Sequence, residues 1–141
     1  MATGPTGRVA LMSIYPRYAH AILDGIKTVE FRKRRLAEDV THVVIYSTQP
    51  DKAVIGYFTV DGQETLPPSA LWQEFRDSGI IDEEDFFRYY EGRKEGTGIR
   101  VGNVTRLKYG LSLEGDLDMQ NPPQSFQYIP RETFEKVLIA S

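Results

Sequence analysis

Four residues within six positions, Lys27, Thr28, Glu30 and Arg32, bring an amine, a hydroxyl, a carboxylate and a guanidinium into one short stretch, Gly25-Ile26-Lys27-Thr28-Val29-Glu30-Phe31-Arg32. An amine and a guanidinium together can hold an anionic group such as a phosphate. A carboxylate between them can take a proton, bond a hydroxyl, or simply orient its cationic neighbours. A hydroxyl beside an amine is a candidate nucleophile–base pair. The same residues also suit the wet face of an edge strand, where a Glu30–Arg32 ion pair would contribute little.

These groups must be positioned by a helix and a strand. Pro16 to Asp24 reads as a short amphipathic helix, with Ala19, Ile22, Leu23 and Ile26 spaced along one face. Gly25 is a stop signal, because glycine takes the left-handed conformation that closes a helix. The period then changes to two. Lys27, Val29 and Phe31 are expected on one side of a strand, and Thr28, Glu30 and Arg32 on the other.

A chain of 141 residues is expected to form one domain, with residues 1–7 a flexible lead and 8–141 the folded unit. Hydrophobic content of 40% and charged content of 26% suit a soluble globular protein. No apolar run approaches membrane-spanning length, so no membrane association is expected. The first residues lack the hydrophobic segment of a signal peptide, which makes the cytoplasm the expected compartment. The absence of cysteine excludes disulfides, thiolate catalysis and cysteine-based zinc sites. Two histidines, His20 and His42, are too few for a histidine-dominated metal site, so no cofactor is expected; dependence on a divalent metal stays open.

Net charge is only −3, yet its distribution is uneven. Residues 7–35 carry seven Lys or Arg against two acids, a balance of +5. Residues 61–95 carry ten acids against four bases, a balance of −6. A basic end around the opening motif suits a polyanion approaching from one side, although Lys33-Arg34-Arg35 also suits an ordinary solvated turn.

Along the chain, Val9 to Ile14 reads as a first strand. Leu36 to Asp39 is a loop, and Thr41 to Thr48 is a central strand apolar on both faces. A turn containing Pro50-Asp51 leads to the strand Ala53 to Val60, forming an antiparallel hairpin, with Gly56 marking a bulge, a bend or a close approach. Pro67 to Asp77 and Asp82 to Glu91 read as helices, the second with a cap and an acidic first turn. Its aromatics Phe86, Phe87, Tyr89 and Tyr90 read as core filling. Thr97 to Tyr109 and Leu111 to Leu113 are expected strands, Asp116 to Gln124 a polar loop, Ser125 to Ile129 a short extended piece, and Pro130 to Ile139 a closing helix. Five or six strands with helices inserted between them predict an α+β fold built on a small mixed, barrel-like sheet.

The segment Ser13 to Arg32 resembles the ASCH domain family, whose signature G-x-K-x-x-E-x-R is met by Gly25, Lys27, Glu30 and Arg32. The resemblance continues through Val43 to Thr48, Lys52 to Gly56, Phe87 to Gly92 and Pro122 to Phe126, which spans nearly the whole chain. It implies a small β-barrel related to the PUA domain, with a cleft beside the first helix. It also implies work on RNA: binding, ribonuclease activity in some members, and hydrolysis of acylated cytidine in others. Ribonuclease-type members use a tyrosine, a lysine and a serine facing the cleft, for which Tyr46, Lys52 and Ser125 are the candidates here. In amidohydrolase members a lysine, a threonine and a glutamate carry the chemistry; Lys27 and Thr28 match the first two, and the glutamate has no counterpart that aligns.

The expected activity is cleavage of single-stranded RNA, with Tyr46, Lys52, Ser125 and Lys27 as catalytic candidates. Thr28, Glu30, Arg32, Arg17 and Tyr18 are the candidates for contacting RNA. The alternatives are an N4-acylcytidine-type amidohydrolase and a non-catalytic RNA or nucleotide binding module, in which Tyr15, Tyr18 or Tyr57 stacks on a base. Single-stranded RNA or a nucleotide is thus the expected partner, with no obligate protein partner implied. Whether the acidic helix around residues 82–91 covers the cleft or lies behind it stays open.

Overall fold

The computed structural model describes residues 7–141, so the expected N-terminal lead lies outside the described residues apart from Gly7. Among the described residues, six strands form one mixed sheet: β1 (Arg8–Ile14), β2 (Val29–Arg32), β3 (Val40–Ser47), β4 (Ala53–Leu66), β5 (Gly96–Leu111) and β6 (Phe126–Ile129). Five helices are inserted: α1 (Pro16–Leu23), α2 (Pro68–Phe75), α3 (Glu83–Tyr89), α4 (Leu113–Leu117) and α5 (Arg131–Ile139). The strand order is β2-β5-β4-β3-β1-β6. Among the described residues only the β1–β3 pair is parallel, and α1 together with β2 supplies the crossover that such a pair needs. The expected β3–β4 antiparallel hairpin is present.

The fold is α+β, as expected, but among the described residues the sheet is not hydrogen-bonded into a closed barrel, because β2 and β6 remain its two edges. It curls instead. Register shifts at Val54/Gly56, Phe58/Val60 and Val60/Gln63 bend the long β4–β5 ladder. The curl brings the two edges within side-chain reach. Arg32 on β2 donates to Ser125 Oγ beside β6 at 2.7 Å and to the Ser13 carbonyl of β1 at 3.3 Å.

Both faces of the central strands are apolar, so each side of the sheet builds a core. Val44 and Tyr46 of β3 pack with Leu107, Leu113, Leu117, Phe134 and Val137 under α4 and α5. Val43 and Ile45 point the other way and pack with Met12, Ile22 and Phe58 beneath α1. A third cluster joins Val29 and Phe31 of β2 to Leu71 and Phe75 of α2 and to Phe86 and Tyr90 of α3. Phe31 meets Phe86 edge-on at 4.9 Å, which ties the helical insert to the motif strand.

Several expectations change in detail. The strand predicted to end at Val60 continues through Asp61-Gly62 to Leu66, with Gly62 at φ 106° inside the irregular stretch. The two strands expected between Thr97 and Leu113 are one 16-residue strand. Helix α4 takes in the end of the strand expected at Leu111 to Leu113 and the first two residues of the predicted loop; Ser112 caps it, its Oγ accepting from the backbone N–H groups of Gly115 and Asp116. Asp82 occupies the cap position of α3, but its side chain makes no cap hydrogen bond.

The motif also departs from a regular strand. Helix α1 closes at Asp24, Gly25 adopts φ 78°, and the N–H groups of Ile26 and Lys27 both return to the Ala21 carbonyl. This reversal turns Ile26 outward, 60% exposed, so it does not continue the apolar face of the helix. Residues 27 and 28 precede the strand, where alternation does not apply. Lys27 stays beside Phe31, its Nζ 5.4 Å from that ring centroid, and also reaches Glu30, while Thr28 is exposed.

Candidate functional site

A cavity of about 510 Å³ opens between the start of α1, strand β2 and the helical insert. The end of β1 and α1 supply Ser13, Ile14, Tyr15, Arg17 and Tyr18; the motif supplies Lys27, Glu30, Phe31 and Arg32. Thr48 closes one side, and Ile81, Asp85 and Tyr89 close another. The acidic helix is therefore a wall of the cleft. Arg17 reaches across to Asp85 at 3.7 Å, an exposed pair linking the two walls.

At the base lies a chain of three charges. Glu30 Oε1 is 3.5 Å from Lys27 Nζ, and Glu30 Oε2 accepts from Arg32 at 3.0 Å. Lys27, Glu30 and Arg32 are 2%, 5% and 9% exposed. Burying charge is tolerated only with dense partnering. Lys27 Nζ also donates to the Gly79 carbonyl and lies 5.0 Å from the Tyr18 ring centroid. Even so, desolvation pushes its pKa below the ordinary lysine value, with Glu30 countering only in part. Arg32 spends its two terminal nitrogens on Glu30, Ser13 and Ser125, while its Nε is buried without a hydrogen-bond partner among the described residues. Two cations against one carboxylate leave the base of the cleft with one uncompensated positive charge.

The aromatic lining differs from residue to residue. Tyr15 is 70% exposed at the mouth. Tyr18 carries Arg17 stacked at 4.6 Å over its ring. Burial raises the pKa of Tyr89, which keeps its phenol protonated. Of the aromatics read as core filling, Phe86 and Tyr90 are core, but Tyr89 faces the cleft.

The cleft thus brings together Lys27, Glu30, Arg32, Arg17 and Tyr18, with Ser125 attached through Arg32. Thr28 does not line it; its backbone N–H donates to the Ser78 carbonyl and its side is exposed. Tyr46 is 7% exposed within the core beneath α4 and α5, in register with Ser13. Lys52 is exposed on the hairpin turn at φ 49°, and its N–H bonds to the carbonyl of the cleft residue Thr48. The turn is held by Asp51, which accepts from Ser47 Oγ and pairs with His20 Nε2, both at 2.7 Å; these bonds draw its pKa below the usual carboxylate value. Tyr57 packs against Phe134 and His42, away from the cleft. Ser13, Thr48, Ile81, Asp85 and Tyr89 are lining residues that sequence reasoning missed. Ser13, Thr48 and Tyr89 fall inside the segments carrying the family resemblance, which was the signal available for them.

A family profile described as ASCH domain matches residues 12–107, more than half of the chain and including every motif residue of the cleft. The chain belongs to the ASCH domain family. An ASCH domain-containing ribonuclease from Zymomonas mobilis is 31% identical over 143 residues, covering 95% of this chain and 93% of that protein. Crystal structures of two ASCH mutant proteins from Zymomonas mobilis, one serine-to-alanine and one tyrosine-to-phenylalanine, superpose with TM-scores of 0.86 and 0.84. Each is 26% identical, and they cover 96% and 93% of this chain and 97% and 96% of their own. The PUA-like fold of this ASCH chain is that of its relatives. No helix among the described residues is long and apolar enough to cross a membrane.

Proposed function

We propose that this ASCH protein binds single-stranded RNA in the cleft beside α1 and cleaves it there. The observation that carries the reading is the buried Lys27–Glu30–Arg32 chain with its surplus positive charge, set in a cavity with tyrosines at its rim. A low-dielectric site with one unmatched cation favours a singly charged anion, and each RNA phosphodiester is one. Exposed tyrosine faces accept unpaired bases. The similarity to a ribonuclease over nearly the full length of both chains supports RNA as the substrate.

In this reading Lys27 and Arg32 hold the non-bridging oxygens of the scissile phosphate. Glu30 has both oxygens committed to these cations, so it is a positioning residue. The 2′-oxygen loses its proton and attacks phosphorus; the P–O5′ bond breaks and the departing 5′-oxygen gains a proton. The products are a 2′,3′-cyclic phosphate and a 5′-hydroxyl. Tyr46 and Lys52 are assigned to proton transfer, since a phenol and an amine can each give or take a proton. Lys52 adjoins the cleft through Thr48, and Tyr46 adjoins it through Ser13. Ser125 fixes the second arm of Arg32. The amidohydrolase alternative needs the Thr28 hydroxyl beside the Lys27 amine, and nothing in the geometry favours it.

The test is the cleavage of labelled single-stranded RNA by wild type, Lys52→Ala and Arg32→Ala. Lys52→Ala is expected to slow cleavage by about 100-fold, the scale of losing one general acid or base. Arg32→Ala is expected to weaken RNA binding as well. Equal cleavage by wild type and Lys52→Ala would identify a contaminant and defeat the assignment. Salt-sensitive binding without any cleavage would leave a binding module.

A further inference from the structure

Beyond the cleft lies a second groove that the cleavage reading leaves unused. It has a volume of about 570 Å³ and is lined by Lys33, Arg34, Arg35, Arg93 and Lys94, with Glu95 the one acid. Five cations against one carboxylate make a local balance of +4 in a chain whose net charge is −3. These cations come from two segments far apart in sequence. Arg93 closes the gap, donating to the Lys33 carbonyl at 3.3 Å. Below them, Thr65 Oγ1 and Thr97 Oγ1 are hydrogen-bonded at 3.0 Å and form a polar floor.

Among the described residues, Lys33, Arg34, Arg93 and Lys94 enter no ion pair, and Arg35 reaches Glu38 only at 3.9 Å. A run of basic residues on an ordinary solvated turn would be free to spread. Here Lys33 is held 4.9 Å from the Tyr89 ring centroid, and Arg34 5.3 Å from that of Phe126. Like charges are being kept together, which costs free energy unless a polyanion offsets it. The groove is also continuous with the cleft. Lys33 follows Arg32 directly, and the Tyr89 beneath the Lys33 ammonium is itself a cleft wall.

We propose that this groove is a second polynucleotide site, which takes the phosphates of single-stranded RNA beyond the nucleotides held in the cleft. The inference rests on the RNA reading above. It makes the substrate an extended strand rather than a nucleotide or dinucleotide. The strand passes from the cleft over the Tyr89 wall, and its backbone phosphates then meet Lys33, Arg34, Arg93 and Lys94. Recognition there is electrostatic and blind to sequence.

The probes are 5′-labelled 2′-O-methyl oligouridylates, which lack the attacking hydroxyl: a dinucleotide and a strand of about 12 nucleotides, long enough to cross both sites. Fluorescence anisotropy gives the affinity of each across a salt series for wild type, Arg93→Ala/Lys94→Ala and Lys94→Glu. These residues lie in an exposed loop outside the cores, and thermal melting checks the fold. The double variant is expected to weaken the long strand roughly tenfold while leaving the dinucleotide unchanged. Its log–log salt slope should fall by about 1.4, or about 0.7 for each of two phosphates that the variant no longer neutralises. Lys94→Glu should weaken the long strand alone.

Equal losses for both probes, or no loss for either, would overturn the groove. So would a wild type that binds the dinucleotide as tightly as the long strand, although the cleft reading would survive that result. A poly-glutamate peptide bound as tightly as the long strand would overturn the assignment to RNA. If wild type binds neither oligonucleotide, both readings fall together.

Discussion

Replacing Glu30 by glutamine tests whether the motif is a coupled buried charge chain. The change removes one charge with little change of shape. It leaves Lys27 and Arg32, 2% and 9% exposed, facing one another without the carboxylate that separates them. Removing one partner of a buried pair costs about 3–5 kcal/mol, because the remaining charge stays desolvated. For a domain of this size that corresponds to a fall of roughly 10–17 °C in Tm. The variant also has a pH signature. The folded pKa of Lys27 already lies below its unfolded value of 10.5, so folding of the neutral amine is favoured over that of the ammonium. Losing Glu30 lowers it further, since that carboxylate is the main influence raising it. As pH rises through the window between the depressed folded value and 10.5, the folded variant has released a proton that its unfolded chain still holds. Stability then rises with pH, and more steeply in the variant than in wild type. Thermal melts at neutral pH and near pH 9.5 should show the gap between the two proteins narrowing. The double variant Lys27→Met/Glu30→Gln should recover part of the loss. A Tm within about 2 °C of wild type at neutral pH, or a gap that widens with pH, would refute the chain of coupled charges.

Two further substitutions probe how the cleft is framed. At Gly56 a Cβ would stand 2.5 Å from Leu23 Cδ2 and 2.6 Å from the Thr105 carbonyl oxygen, so Gly56→Ala should push α1 off the sheet. The expected cost is about 1–3 kcal/mol by urea unfolding, with a loss of cleavage as Arg17 and Tyr18 move with α1; unchanged stability would contradict the close approach. Arg32→Lys keeps the charge but cannot span Glu30, Ser13 and Ser125 at once, so single-stranded RNA affinity at low salt should fall about tenfold. Wild-type affinity in that variant would reduce Arg32 to a point charge.

What could be read in advance followed the strength of local signals. The central strand Val40–Ser47 and the hairpin after it rest on a dense β-branched run and a proline-containing turn, and both appear where expected. Gly25 stops α1 as its position implied. Gly56 was legible as a special position, and its reason is the approach of Leu23. Other features depended on tertiary context. Asp61-Gly62 has the composition of a turn, yet the β4–β5 ladder runs through it by shifting register. Helix α4 is five residues long and contains a glycine, so burial of Leu113 and Leu117 decides it rather than propensity. Alternation placed Lys27 with Phe31, and its ammonium does lie near that ring, but nothing local reveals that the regular strand starts only at Val29 and that Lys27 also reaches Glu30. Tyr89 follows the same helical spacing as its core neighbours Phe86 and Tyr90. Only the position of α3 against β2 separates them.

The placement of the site follows from the way the sheet fails to close. An open, curled sheet leaves two edges facing one another, each with backbone groups that no neighbouring strand pairs. Hydrogen-bonding β2 directly to β6 would satisfy them but would erase the space between. Here a side chain spans the gap: Arg32 on one edge reaches the Ser125 hydroxyl beside the other edge and the Ser13 carbonyl of the neighbouring β1. A guanidinium suits this task because its planar fork carries several donors at fixed angles. Its charge then has to be balanced where water is scarce, and Glu30 two residues earlier on the same strand provides the balance. Lys27 joins the same carboxylate and tips the sum to positive. In the proposed function, the groups that hold the seam together are therefore the groups that attract the anion. A ligand that neutralises the surplus charge should also tighten the seam, coupling occupancy of the cleft to the stability of the sheet.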